Sequence, residues 1–266
     1  MILVACGLKR EAAIMGRAGV IPVIGGGDAA RLERALEFAL TRLTQSSIPS
    51  EVEGRTDFEL DRAAVCASTS LGMDEIGSNQ SEHILDDNTR PFPTLILSSG
   101  VAGALDSSLK PGDVVIGGDP GVVAKLQAAL PEAKVGKVIG IDRIASTVAE
   151  KQALFRETGA LAVDMESHVA ERVARKHGVP FGILRVISDS ADETLPPAAL
   201  VGMRPDGGVA IGKVLVSLLG QPSQLPTLIR TARHADVAFR ALRRVYDVLC
   251  GGGVGGFDLR ELPLDM

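Results

Sequence analysis

The sequence predicts an α/β fold, a mostly parallel sheet with helices on both faces, and three observations lead there. Short apolar runs at 2–6, 21–24, 94–97, 114–116, 135–141, 161–163 and 181–187 end in glycine or acidic residues. Helical patterns separate many of them, which is the rhythm of strands joined by crossover helices. The chain is also large enough to bury a full core, with 266 residues, 45% of them hydrophobic, 30 glycines and 23% charged.

The first run, "ILVAC", leads into "GLKREAA", so Lys9, Arg10 and Glu11 stand at the carboxyl end of a strand. The second opens into "IGGGDAA". There Asp28 is placed to cap the helix "DAARLERALEFALTRL", whose Leu32, Ala35, Leu36, Ala39 and Leu43 fall on one side. Residues 46–93 break the rhythm with polar clusters and one weak strand at 63–66; loops this long are functional or disordered. The run at 94–97 is followed by the glycine turn "SSGVAGAL".

The run at 161–163 stops at Asp164, Met165 and Glu166, just before a helix. Val169, Ala170, Val173 and Ala174 recur at helical spacing, Arg175, Lys176 and His177 crowd the last turn, and Gly178 suits a left-handed C-cap. Asp164 or Ser167 is available as the N-cap. The strand at 181–187 ends at Ser188 and Asp189. A C-terminal helix over about 227–250 carries the stripe Leu228, Ala232, Ala235, Phe239, Leu242, Val245, Tyr246 and Leu249, with Arg230, Arg233, Arg240, Arg243 and Arg244 largely off it. The sequence reads as a single domain, 1–250, followed by a flexible glycine-rich tail, 251–266.

Composition excludes several classes of function. A net charge of −5 without an aromatic-studded basic stretch argues against nucleic acid. Cys6, Cys66 and Cys250 are far apart and odd in number, as reduced thiols in a cytoplasmic protein are. The four histidines show no ligand spacing, so no metal site is expected. No uninterrupted apolar run approaches membrane-spanning length, and no secretory leader is read at the start. The basic face of the C-terminal helix leaves room for peripheral contact with lipid at the inner membrane.

Ligands of open α/β sheets bind beyond the carboxyl ends of the strands. Two such ends present a carboxylate, Glu166 and Asp189, and Glu11 adds a third. A pair of acids there can hydrolyse a glycoside, hold a metal, or divide labour between binding a sugar diol and protonating a leaving group. Backbone N–H groups of Gly25, Gly26 and Gly27, with Ser99 and Gly100, are candidates to cradle an anion.

The stretches "ACGLKREAA", "SSGVAGALDSSLKPGDVVI", "AVDMES" and "GVPFGILRVISDSAD", in this order, resemble the nucleoside phosphorylase family, especially its methylthioadenosine/adenosylhomocysteine nucleosidase branch. Residues 195–243 are similar to a narrower group, the hopanoid-associated phosphorylases. The likeness covers 1–45 and 94–245 and leaves 46–93 as an unmatched insertion.

The resemblance implies a three-layer αβα nucleoside phosphorylase-like fold around a twisted, mixed sheet, no organic cofactor, inorganic phosphate as a candidate co-substrate, and a homo-oligomer. It also implies roles. Glu166, with Met165, accepts the ribose 2′ and 3′ hydroxyls; Asp189, with Ser188, protonates purine N7; Arg143 and Ile144 wall the base. Glu11 falls where the nucleosidases orient water and where many phosphorylases carry arginine, while Val101 replaces a serine of the nucleosidases. The expected activity is cleavage of the N-glycosidic bond of an adenine nucleoside, with adenosylhopane favoured and a soluble methylthioadenosine/adenosylhomocysteine nucleosidase or another purine nucleoside phosphorylase as the alternative. A reading of another class, a dinucleotide-binding oxidoreductase, fits Gly25, Gly27 and Ala30 to G-x-G-x-x-A. It lacks the acid-ended strand about twenty residues on, where "QSSIPSEVEG" stands.

Overall fold

A computed structural model describes residues 1–17, 19–45, 95–200, 207–208 and 210–250; the 46–93 insertion, its weak strand and the 251–266 tail lie outside the described residues. The strands are β1 (Ile2–Cys6), β2 (Val20–Ile24), β3 (Leu95–Ala104), β4 (Val114–Gly118), β5 (Lys134–Val135), β6 (Val138–Gly140), β7 (Ala162–Asp164) and β8 (Phe181–Asp189). The helices are α1 (Lys9–Met15), α2 (Ala29–Gln45), α3 (Pro120–Ala129), α4 (Val148–Thr158), α5 (Ser167–His177), the short α6 (Pro197–Leu200), α7 (Ile211–Gly220) and α8 (Leu225–Cys250).

The sheet runs β2-β1-β3-β8-β4-β5, with β7 pairing both β3 and β6. Most neighbours are parallel; β4 against β8 and β7 against β3 are antiparallel. This is the expected mixed α/β sheet. Side chains alternate across it. Leu95, Leu97, Leu184 and Val186 pack with Tyr246, Leu242 and Leu249 of α8, while Ile96, Phe181 and Ile183 pack with Leu36 and Leu40 of α2 and Val169 and Val173 of α5. The result is the three αβα layers.

Two strands differ from the sequence reading. The apolar run at 135–141 is split: Val135 pairs with Ile116 of β4, whereas Val138 pairs with Ala162 of β7. Gly136 is where the chain changes neighbour, pressed so closely on Leu161 that a Cβ there would lie 2.3 Å from Cδ1. "SSGVAGA" is strand rather than turn, because β8 continues beside it as far as Asp189. The register shifts between Ala102 and Gly103, a bulge placed next to Asp189. The first half of the C-terminal stripe also runs outward: Leu228 is half-buried and Ala232 exposed, and steady burial begins at Ala238.

Local signals behave as their chemistry requires. Asp28 Oδ1 accepts the Arg31 N–H at 2.9 Å, and Gly178 closes α5 at φ 63°. At the start of α5 it is Asp164, not Ser167, that caps: its Oδ1 accepts the Glu166 N–H at 3.1 Å, the Ser167 N–H at 2.9 Å and the Ser167 hydroxyl at 2.7 Å.

Candidate active site

The abrupt end of β7 has a two-part cause. With Asp164 Oδ1 occupied by the helix start, Glu166 is relieved of capping and buried at 7% exposure. Asp164 Oδ2 lies 2.6 Å from Nε of Arg185 in an ion pair whose angle is not that of a hydrogen bond. Arg185, in the middle of β8, is fully buried. Its Nη2 donates to Ser98 Oγ at 2.6 Å and lies 3.4 Å from Glu166 Oε2, and its Nη1 makes no hydrogen bond to the described residues.

Glu11 approaches the same cluster from α1. Its Oε2 accepts the N–H groups of Gly7 at 2.9 Å and Leu8 at 2.8 Å, and its Oε1 accepts that of Val101 at 2.8 Å. The side chain thus staples the first turn of α1 to β3. Two glycines make the approach sterically possible. A Cβ on Gly7 would stand 2.5 Å from Glu166 Oε1, and one on Gly100, at φ 149°, would stand 2.5 Å from Glu11 Oε1 and 2.9 Å from Arg185 Nη1.

Three carboxyl groups therefore share one buried guanidinium. Burial pushes the Glu166 carboxyl up to about 8, opposed by Arg185 and reinforced by the charges of Asp164 and Glu11. Burial likewise raises Glu11, against Arg185 and the three backbone N–H groups. A folded-state value above the ordinary 4.5 means that the folded protein binds the proton more tightly than the unfolded chain. Stability from this source is complete below the ordinary value and lost as pH rises through about 8. Glu166→Gln, which stays neutral, is expected to flatten that decline, leaving the part due to Glu11. Urea midpoints of both proteins at about pH 5 and about pH 8 check this; parallel declines would mean that Glu166 is not the titrating group.

Asp189 stands farther along the same rim, beside Gly103, three residues or roughly 10 Å of β3 beyond Gly100. Its Oδ2 receives the ammonium of Lys151 at 2.5 Å and its Oδ1 the Ser188 hydroxyl at 2.8 Å, which also contacts Ala102 O at 3.2 Å. Lys151, in α4, is completely buried and donates further to the carbonyls of Ser190 at 2.7 Å and Glu193 at 3.1 Å. Asp189 is thereby held in one orientation, with a cation beside it.

Of the anion-cradle residues, Gly100 lies in the cluster, against Glu11 and Arg185, but Ser99 and the turn at 25–27 are otherwise engaged. The amides of Gly25 and Gly26 are spent on the carbonyls of Cys6 at 2.8 Å and Gly7 at 3.0 Å, so this turn joins β1 to β2 instead of facing an anion. Gly27, at φ 75°, completes the turn. The same bonding removes the amides that a dinucleotide-binding loop would offer. Ser99 is fully buried and points to the α8 side beside Tyr246, because successive strand residues face opposite ways and Ser98 takes the Arg185 side. Arg10 turns outward to Asp236 at 3.1 Å and lies over the Phe239 ring. Arg143 is exposed and ion-paired with Glu150, next to half-buried Ile144, and neither touches the carboxylate cluster. Met165 is half-buried between Asp164 and Glu166.

Arg185 and Lys151 were not among the residues singled out from the sequence. Arg185 had a signal: one cation inside the otherwise apolar "FGILRVIS", where a charge must have partners to be buried. Lys151 had none, since "AEKQALF" reads as an ordinary helix surface.

A family model for the phosphorylase superfamily matches residues 118–219. The 5′-methylthioadenosine/S-adenosylhomocysteine nucleosidase of Staphylococcus aureus (strain bovine RF122 / ET3-1) is 26% identical over 190 residues, 59% of this chain and 81% of the relative. Two solved structures of proteins with that same name share the fold. One, from Neisseria meningitidis in complex with methylthio-immucillin-A, has a TM-score of 0.54 at 13% identity and covers 93% of this chain and 97% of its own. The other, from Helicobacter pylori with butyl-thio-DADMe-Immucillin-A, has a TM-score of 0.53 at 16% identity and covers 93% and 98%.

Proposed function

The chain belongs to the phosphorylase superfamily, and from that premise we propose that it is a purine nucleosidase that hydrolyses the N-glycosidic bond of an adenine nucleoside. The observation that carries this reading is the convergence of Glu11, Glu166 and the buried Arg185 around Gly7 and Gly100. Glu166 accepts the hydroxyls of the ribose. A neutral Glu166 in the free protein enters this step without the cost of an unpaired buried charge, and the diol's hydrogen bonds favour its ionised form. Glu11 and the guanidinium of Arg185 orient the attacking water, and Glu11 takes up its proton. Asp189, steered by Lys151 and Ser188, takes up a proton from solvent and passes it to purine N7, since a purine anion leaves poorly without one. The transition state is oxocarbenium-like, so catalysis rests on placement and charge without a covalent nucleophile.

The same cluster favours water over phosphate as the co-substrate. A divalent anion entering a dry pocket needs a net positive partner. Here the one cation among the described residues of the cluster is already shared by Asp164, Glu166 and Glu11, and the amides of Gly25 and Gly26 are committed elsewhere. Phosphate-free enzyme is therefore expected to release adenine with free ribose as the sugar product, with modest stimulation by phosphate at most. Strict phosphate dependence, with ribose 1-phosphate alone as product, would reject hydrolysis. Within this class adenosylhopane is the favoured substrate, on the likeness of residues 195–243 to the hopanoid-associated phosphorylases; a 5′-methylthioadenosine or adenosylhomocysteine substrate is the alternative. Rates on adenine nucleosides with 5′ groups of graded size and hydrophobicity separate them.

A further inference from the structure

Helix α7 and the start of α8 form a corner that the described fold does not cover. Residues 214–229, "VLVSLLGQPSQLPTLI", contain no charge. Val216, Leu219, Leu225 and Ile229 are 69%, 81%, 48% and 43% exposed, and a shallow apolar cleft runs between Leu218, Leu219, Pro222 and Leu225. Single exposed leucines are ordinary, but a contiguous group rimmed by charge marks an interaction surface.

Beyond the apolar corner the same side of α8 becomes basic. At 3.6 residues per turn, Leu225, Ile229, Arg233, Arg240, Arg243 and Arg244 fall within about 100° of the helix circumference, away from the buried Leu242, Val245, Tyr246 and Leu249. Two acids share this side, and arginines from the neighbouring α1 region meet both: Arg10 pairs with Asp236 at 3.1 Å and Arg17 with Asp247 at 2.6 Å. The side is thus cationic on a chain whose total charge is −5.

We propose that this face docks on an anionic phospholipid surface, with α8 lying along the headgroups and the α7–α8 corner sunk at the edge of the acyl region. An apolar end continued by a row of arginines matches the two layers of such an interface. A second copy of the chain fits less well, because a two-fold contact would bring the same arginines toward one another. The basic side of α8 meets α1, which carries Glu11 of the candidate site, through the Arg10–Asp236 pair. Gly207, just ahead of α7, accepts the Lys9 N–H at 3.0 Å and is packed so tightly that a Cβ there would lie 2.9 Å from Gly7 O. The proposal does not depend on which reaction the site performs.

Flotation of the full chain with phosphatidylcholine vesicles, with and without phosphatidylglycerol, tests it. Binding is expected with phosphatidylglycerol, weakened at high salt. Arg243→Glu with Arg244→Glu is expected to lower the partition coefficient by at least about fivefold per arginine. Leu219→Ser with Leu225→Ser is expected to lower it by about tenfold or more. All four positions are exposed, so circular dichroism and thermal melting should match the parent. Absence of binding to phosphatidylglycerol vesicles, or binding that both pairs of substitutions leave unchanged, overturns the proposal. A dimer that Leu219→Ser with Leu225→Ser turns into monomers, without vesicle binding by the parent, would assign the face to a second copy and equally overturn it.

Discussion

Asp189→Asn is expected to slow adenine release from adenine nucleosides by about 10²–10⁴-fold, the usual worth of a positioned proton donor. The amide oxygen still receives the Lys151 ammonium, and Ser188 can turn its hydroxyl to accept from the new NH₂ group, so the orientation shown by the 2.5 Å and 2.8 Å contacts persists. What is lost is the capacity to take up a proton and pass it to the leaving base. Lys151 also loses a charged partner at a buried position, so a lower melting temperature accompanies the change. Substrates whose leaving group is already acidic separate the two effects, because they need the fold but not the proton. Steady-state rates on both substrate types decide it, and an equal slowing of both would remove Asp189 from the role of general acid.

Arg185→Met is expected to destabilise the protein by about 3–5 kcal/mol, the range for breaking a buried ion pair from one side. Methionine fills much of the space but leaves Asp164, Glu166 and Glu11 with no compensating charge. The loss has a definite pH dependence. Arg185 holds down the raised Glu11 and Glu166 carboxyls, so its removal lifts both further, and the folded state then binds protons still more tightly than the unfolded one. The deficit relative to the parent should therefore be smallest near the ordinary carboxyl value and grow as pH rises. Urea unfolding of both proteins across that range measures it, and a deficit independent of pH would mean that methionine simply packs badly. Activity should fall with either outcome, since Arg185 is one of the two groups assigned to the water.

Much of the architecture was legible because it is encoded by neighbours in sequence. The periodicity of 28–43 gave α2, the basic last turn and Gly178 gave the end of α5, and the acid-ended apolar runs gave β7 and β8. Glu11, Glu166 and Asp189 were legible as carboxylates at strand ends, and the structure brings Glu11 and Glu166 together beside Gly7. The extent of β3 was not legible. A glycine-rich run reads as a turn unless one knows that β8 continues beside it, and the glycines are there to admit Glu11, Arg185 and Asp189.

The identity of the compensating cations also lay beyond the sequence. Lys9 and Arg10 stand nearest to Glu11 along the chain, yet α1 turns Arg10 onto α8, and the cation that reaches the carboxylates is Arg185, brought beside Gly100 by the β3–β8 register. Lys151 meets Asp189 across 38 residues by the same kind of tertiary accident of packing. Ser99 and the glycine turn at 25–27 carried local anion-binding chemistry, and strand alternation and two backbone carbonyls disposed of it. Residue type and local period thus determine which groups are available at the strand ends, because they depend on bonds within a turn or two of the chain. Which charges are paired, which amides are already spent and which carboxyl is driven to hold its proton depend on burial and on distances between remote segments, and only the folded sheet sets those.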